Sequence, residues 1–162
     1  MFENEYTWGN AVATNSVAEF DNKFEDAINE VKQTLGKDYP LIINGKEIFL
    51  DKKFEVKSPS DTRIVVAKFP QATKDDTISA INSANDAFTE CCSVSYHDKV
   101  RIFQDSANLF SKQKFQLAAI MSFENGKNRI EAMNDVDEAI DFMRFYSYQL
   151  EINEGFEKQT PH

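Results

Sequence analysis

The sequence predicts an α/β fold class in which this chain supplies a mostly α-helical part with small β-hairpins, set ahead of a parallel sheet. Three observations carry this. Apolar residues recur at three- and four-residue steps in about five separate stretches, the period of one helix face. Two short pairs of strand-like runs, each joined by turn residues, lie between the first of these stretches and the second. No buried, β-branched-rich strands alternate with the helices, as a doubly wound sheet would require.

The elements follow in chain order. Ser16 to Glu19 has the residue types of a capping box, and Phe20, Phe24, Ile28, Val31 and Leu35 then share a face until Gly36 interrupts the pattern. In "YPLIINGKEIFL", Asn44-Gly45 sits between two apolar runs. Both central residues of a type I′ turn take positive φ, so Leu41 to Ile43 and Glu47 to Leu50 are expected to pair as a hairpin. Phe54 to Lys57 and Arg63 to Phe69 read as two more strands around the turn chemistry of "SPSDT", and Pro70 ends the second.

Thr73 to Asp76 is another capping box, followed by Ile78, Ile81, Ala84 and Phe88 on one face. Ser95 to Asp98 repeats the signal ahead of Val100, Phe103, Ala107 and Phe110. A further helical segment holds Leu117, Ile120, Met121 and Glu124 and stops at Gly126. The last helix starts near Asn128, carries Met133, Val136, Ile140 and Met143, and fades around Ile152 to Gly155. The reading treats 1–162 as one unit, with an N-terminal helix region at 1–38, strands at 39–70 and helices at 71–162. The closing "FEKQTPH" contributes no further element, so truncation is expected.

Composition narrows the function classes. Net charge is −9, from 27 acidic against 18 basic residues, a field that repels phosphate backbones and anionic lipid surfaces. The expectation is no nucleic acid, no membrane and a cytoplasmic location: apolar runs stay short of a span, and "MFENEYTWGN" is acidic where a signal peptide is basic. Cys91 and Cys92 are adjacent, where a disulfide would be badly strained, so reduced thiols are expected. His97 is a sequence-near base for either thiol, against a plain reading of both as loop or helix-end thiols. With His97 and His162 the only histidines and no Cys-x-x-Cys, no metal site is expected.

The last helix poses the functional question. At about 100° per residue, Met133, Val136, Ile140 and Met143 fall on one side and meet the core. Glu131, Asp135 and Glu138 gather opposite, with Phe142 and Phe145 in the wedge of Glu138. In one reading the rings pack elsewhere in the protein and Glu138 reaches water past them. In the other, a carboxylate beside aromatics is partly desolvated and attracts an ammonium group, as in a small amino acid. Periodicity leaves both open. "NGK" at Asn125 to Lys127 is likewise a plain glycine cap with a lysine at the negative helix end, or part of a site.

The ordered set "INGKEI", "SPSDT", "AINSANDAF" and "ENGKN", with the acidic helix after it, resembles the N-terminal part of the aldehyde dehydrogenase superfamily. "FENE" at Phe2, "YPLIINGKE", "FENGKN" and "DVDEAIDFMRFY" are most similar to its 1-pyrroline-5-carboxylate, or glutamate-γ-semialdehyde, dehydrogenases. The resemblance implies an aldehyde dehydrogenase-like α/β fold whose Rossmann-like sheet follows this segment. It implies oxidation of the open-chain semialdehyde to glutamate with NAD, in the second step of proline breakdown. It also implies that Glu138, with Phe142, binds the amino-aldehyde substrate, and that the full-length enzyme is a homo-oligomer. In such enzymes a cysteine thiolate attacks the aldehyde, hydride passes to NAD, and a glutamate activates water. Those groups, the oxyanion-stabilising asparagine and most of the cofactor site belong to regions that would follow His162, so no catalytic, cofactor-binding or metal-binding residue is assigned here and the 162 residues alone are expected to be inactive. Two departures stand out: Cys91 where tryptophan is usual after the Ala-Phe pair, and Lys99 where arginine is common. An acidic, non-catalytic helical interaction module, or an aldehyde dehydrogenase of other specificity, are the alternatives.

Overall fold

The computed structural model describes residues 3–156. Six helices, α1 (Thr7–Ala13), α2 (Val17–Lys32), α3 (Lys74–Ser93), α4 (Tyr96–Lys112), α5 (Lys114–Asn125) and α6 (Arg129–Ile152), surround two small sheets. The strands are β1 (Lys37–Asp38), β2 (Leu41–Ile43), β3 (Lys46–Ile48), β4 (Lys53–Lys57) and β5 (Val65–Pro70). A 3-10 turn, Glu154–Phe156, follows α6. Most of "FEKQTPH", and Phe2 of "FENE", lie outside the described residues.

Helix α6 is the axis of the core and packs against α4, α5 and α1. Ala132, Met133, Val136 and Ile140 are buried with Ala11, Phe20, Phe24, Ala107 and Ala118. The expected core face of α6 is thus observed, with Met143 packed partly buried against it. Small residues matter here: alanines at 107, 118 and 132 are fully buried, which lets three helix backbones approach closely. Trp8 meets Phe20 edge-on, with ring centroids 5.1 Å apart, and Phe20 in turn contacts Phe115 at 5.5 Å.

Several local signals act as read. Thr73 and Asp76 form the reciprocal capping box of α3. Asn44 and Gly45 have φ of 51° and 69°, and β2 pairs antiparallel with β3 across them. The second strand of that hairpin is Lys46–Ile48, shifted one residue earlier and shorter than expected. β4 and β5 pair antiparallel, with β5 beginning at Val65, two residues after the expected start.

Other expectations are corrected. The residues 7–13 are helical, although the seven-residue α1 has neither a side-chain cap of its own nor an acid in its first turn. The Ser16 capping box does not form: the Ser16 hydroxyl hydrogen-bonds the Thr14 hydroxyl at 2.8 Å, and Glu19 pairs with Lys23 instead. Lys37–Asp38, assigned to the helical N-terminal region, is a strand parallel to β5. Its two residues could not show a period. The stripes of α3 and α4 are largely uncovered: α3 has no buried residue, and on α4 only Val100 and Ala107 are buried while Phe103 and Phe110 are exposed. Periodicity identifies an apolar face, but which surface covers it is a property of the assembled structure.

Candidate functional site

Gly126 closes α5 in the left-handed conformation, with φ of 73° and its N–H donating to the Ser122 carbonyl at 3.2 Å. A Cβ there would stand 3.0 Å from Ser60 Oγ and 3.2 Å from Pro59 Cγ. Two motifs far apart in sequence, "SPSDT" and "ENGKN", therefore meet, and Ser58 is buried beneath them. Gly126→Ala combines an unfavourable φ with this crowding and is expected to lower stability by about 1–2 kcal/mol, read as a lower midpoint in thermal unfolding.

Past that turn, Asn128 caps α6, its Oδ1 accepting from the Ile130 and Glu131 amides at 3.0 Å each. Lys127, just past the C-terminal end of α5, ion-pairs with Asp135. Arg129 pairs with Asp21 and Glu25 and lies over the Phe24 ring. Lys127, Arg129, Asp21 and Glu25 line a cleft of about 570 Å³ with Trp8 and Ile28, two positive charges against two negative ones.

The carboxylates of α6 separate by direction. Asp137 points inward and is 4% exposed, its Oδ2 accepting from the Thr7 amide at 2.7 Å and its Oδ1 from the Thr7 hydroxyl at 2.8 Å. Burial pushes its carboxyl above the ordinary range, and the Thr7 donors only partly offset this. Asp141, one turn on, accepts from the Glu5 amide at 2.6 Å. Glu5 itself bridges Lys114 at 2.7 Å and Arg144 at 2.8 Å. Burial of Glu5 opposes ionisation, but the two cations outweigh it and hold its carboxyl below the usual range. None of this network was found from the sequence. Thr7 and Asp137 stand 130 positions apart, and no spacing rule reaches that far.

Glu138 faces the other way. It is exposed, and among the described residues it enters no hydrogen bond or ion pair. Phe142, one turn later, is 51% exposed and stacks on Tyr146 at 6.0 Å, while Phe145 meets Tyr146 edge-on at 5.4 Å. The structure thus puts Glu138 and Phe142 on one uncovered stripe, and neither borders the 570 Å³ cleft. A carboxylate flanked by exposed rings can hold a cation once another surface excludes water from it.

Cys91 and Cys92 are both exposed at the end of α3, and the His97 ring lies against Tyr96 with centroids 3.9 Å apart. No group of three or more metal-ligating side chains occurs among the described residues. No helix among them is long and apolar enough to cross a membrane.

The aldehyde dehydrogenase family model matches residues 48–161, and the chain belongs to that family. Within it, the chain is 36% identical over 141 residues to 1-pyrroline-5-carboxylate dehydrogenase of Oceanobacillus iheyensis, covering 86% of this chain and 27% of that protein. It is also 36% identical over 135 residues to the Staphylococcus aureus strain MW2 enzyme of the same name, covering 83% and 26%. The solved 1-pyrroline-5-carboxylate dehydrogenase from Thermus with bound NAD superposes with a TM-score of 0.85 at 27% identity, over 100% of this chain and 31% of that one. Proline utilization A from Bdellovibrio bacteriovorus gives 0.84 at 28% identity, over 95% and 16%. The aldehyde dehydrogenase-like α/β fold expected from the sequence is therefore observed, and the chain spans about a quarter of the length of the curated relatives it matches.

Proposed function

We propose that these residues are the substrate-recognising N-terminal part of an NAD-dependent dehydrogenase that oxidises glutamate γ-semialdehyde, the open form of 1-pyrroline-5-carboxylate, to glutamate. One observation carries the reading: Glu138 is left without a partner beside exposed Phe142, while its neighbours Asp135, Asp137 and Asp141 are all engaged by the fold. An unpaired acid suits the α-ammonium group of an amino-aldehyde, and the rings suit its aliphatic chain. The names of the relatives support the same substrate.

The described residues do not themselves fit a dinucleotide. They include no Gly-x-Gly-x-x-Gly turn, and the parallel pairing among them is the two-residue β1 with β5. NAD, which accepts hydride when bound, belongs in this proposal to the remainder of the fold. Its place in proline catabolism rests on the same footing.

The test is a steady-state comparison in a full-length enzyme bearing this segment, with NAD as acceptor. A higher kcat/KM for glutamate γ-semialdehyde than for propanal is expected. Equal values would favour an aldehyde dehydrogenase of other specificity. The 162-residue chain alone is expected to form no NADH with either aldehyde, and turnover by it would contradict the reading.

A second reading is favoured by the bare apolar stripe of α3, where Ile81 and Phe88 are 62% and 65% exposed. There the chain is an acidic interaction module, and this stripe docks on another protein. A soluble monomer with no preference for any dehydrogenase segment in pull-down would support it.

A further inference from the structure

The outward carboxylate of α6 is useful only if the helix keeps one rotation about its axis. Consecutive residues leave a helix about 100° apart, so a small roll of α6 would carry Glu138 away from its stripe. The apolar face of Met133, Val136 and Ile140 is close-packed and resists a large roll, leaving only the small play of packed side chains. Hydrogen bonds of fixed geometry resist it strongly.

Several such bonds on the Asp137 side of α6 run to a single N-terminal segment. Both oxygens of Asp137 are taken by Thr7, at 2.7 and 2.8 Å. Asp141 holds the Glu5 amide at 2.6 Å, and Arg144 holds the Glu5 carboxylate at 2.8 Å and the Glu3 carbonyl at 3.3 Å. Lys114, from α5, closes the same carboxylate at 2.7 Å, and Ser111, from α4, reaches it at 3.2 Å. Residues 3–7 thus touch three successive positions along α6 and tie them to α4 and α5.

The identity of Asp137 points the same way. Among the described residues it is one of three buried polar ones, in a core otherwise apolar, and a buried acid is a poor choice for stability alone.

We infer that Asp137, held by Thr7, is a positioning residue that fixes the orientation of its neighbour Glu138 toward substrate, and that residues 3–7 form the brace through which it acts. The inference rests on the substrate reading of Glu138 given above.

The test uses the full-length enzyme and two substrates, glutamate γ-semialdehyde and propanal. Asp137→Ala is expected to raise KM for the semialdehyde roughly five- to tenfold, with KM for propanal and kcat for propanal within about twofold of the parent. Asp137→Asn keeps a carbonyl oxygen for the Thr7 amide and an amide donor for the Thr7 hydroxyl, and is expected to restore most of the loss. Thr7→Val keeps the amide bond but not the hydroxyl bond, and supplies an intermediate case should the alanine variant fail to fold. Adding Asp137→Ala to Glu138→Gln is expected to cost nothing further in discrimination, since no carboxylate is left to place.

Equal losses on both aldehydes, or additive losses in the double variant, would overturn the brace. If Glu138→Gln alone abolishes discrimination while Asp137→Ala and Thr7→Val leave it intact, the brace is wrong and the substrate reading stands. If Glu138→Gln discriminates against neither aldehyde, the substrate reading falls and takes this inference with it.

Discussion

Glu138→Gln in a full-length enzyme raises KM for glutamate γ-semialdehyde about ten- to a hundredfold, with KM for propanal nearly unchanged. The size follows from the charge removed: a hydrogen bond between charged groups contributes roughly 1.5–3 kcal/mol, about one to two decades in affinity, and that sets the upper range of the loss. Glutamine keeps the shape and an acceptor oxygen, so packing is preserved and only the charge is lost. The effect on folding is expected to be small, because Glu138 is exposed and pairs with nothing among the described residues. A matched rise in KM for both aldehydes would remove the amino-group assignment. Substrate titrations at fixed, saturating NAD read the difference directly.

Phe24→Ala is expected to destabilise the protein by about 3–5 kcal/mol, a large part of the ~5–15 kcal/mol that typically separates folded from unfolded chains. Phe24 is 1% exposed, lies in the cluster formed with Met133, Val136 and Ile140, and sits under the Arg129 guanidinium at 5.6 Å from its ring centre. Removing the ring leaves a cavity where α2 and α6 meet, and it strips the apolar surface from below a cation paired with Asp21 and Glu25. Phe24→Leu refills most of that volume and is expected to cost about 1–2 kcal/mol. Urea unfolding of the two variants separates a packing effect from a general intolerance: similar midpoints for both would argue against the cavity account.

Where sequence reasoning succeeded, the interaction lay within a few residues. The Thr73–Asp76 box, the Asn44-Gly45 turn, the Gly126 stop and the Asn128 start each depend on groups inside one turn of chain. The inward face of α6 was equally legible, since Met133, Val136 and Ile140 keep a helical period. The same logic misled at Ser16, where the right residue types stood at the right spacing and yet the hydroxyl bonded back to Thr14. A local motif states what a backbone can do, and the preceding α1 decided that it did not.

The candidate site divides the same way. Glu138 and Phe142 were placed on a common stripe by arithmetic on one helix, and the motif order tied the chain to its family. The bare face of α3 was not legible, because a period shows an apolar face and not what lies on it, and the two-residue parallel strand at Lys37–Asp38 is too short to show a period.

From the chain of residues alone came the helix faces, the turns, the family and the stripe that carries Glu138. The tertiary structure decided which acids of α6 are spent on the fold: Asp137 and Asp141 are taken by Thr7 and Glu5, residues more than a hundred positions away, while Glu138 is left exposed. The reason is physical. Helical spacing is set by bonds along the backbone, whereas partnership between charges is set by distance in space, and that exists only once α1 and α6 have come together.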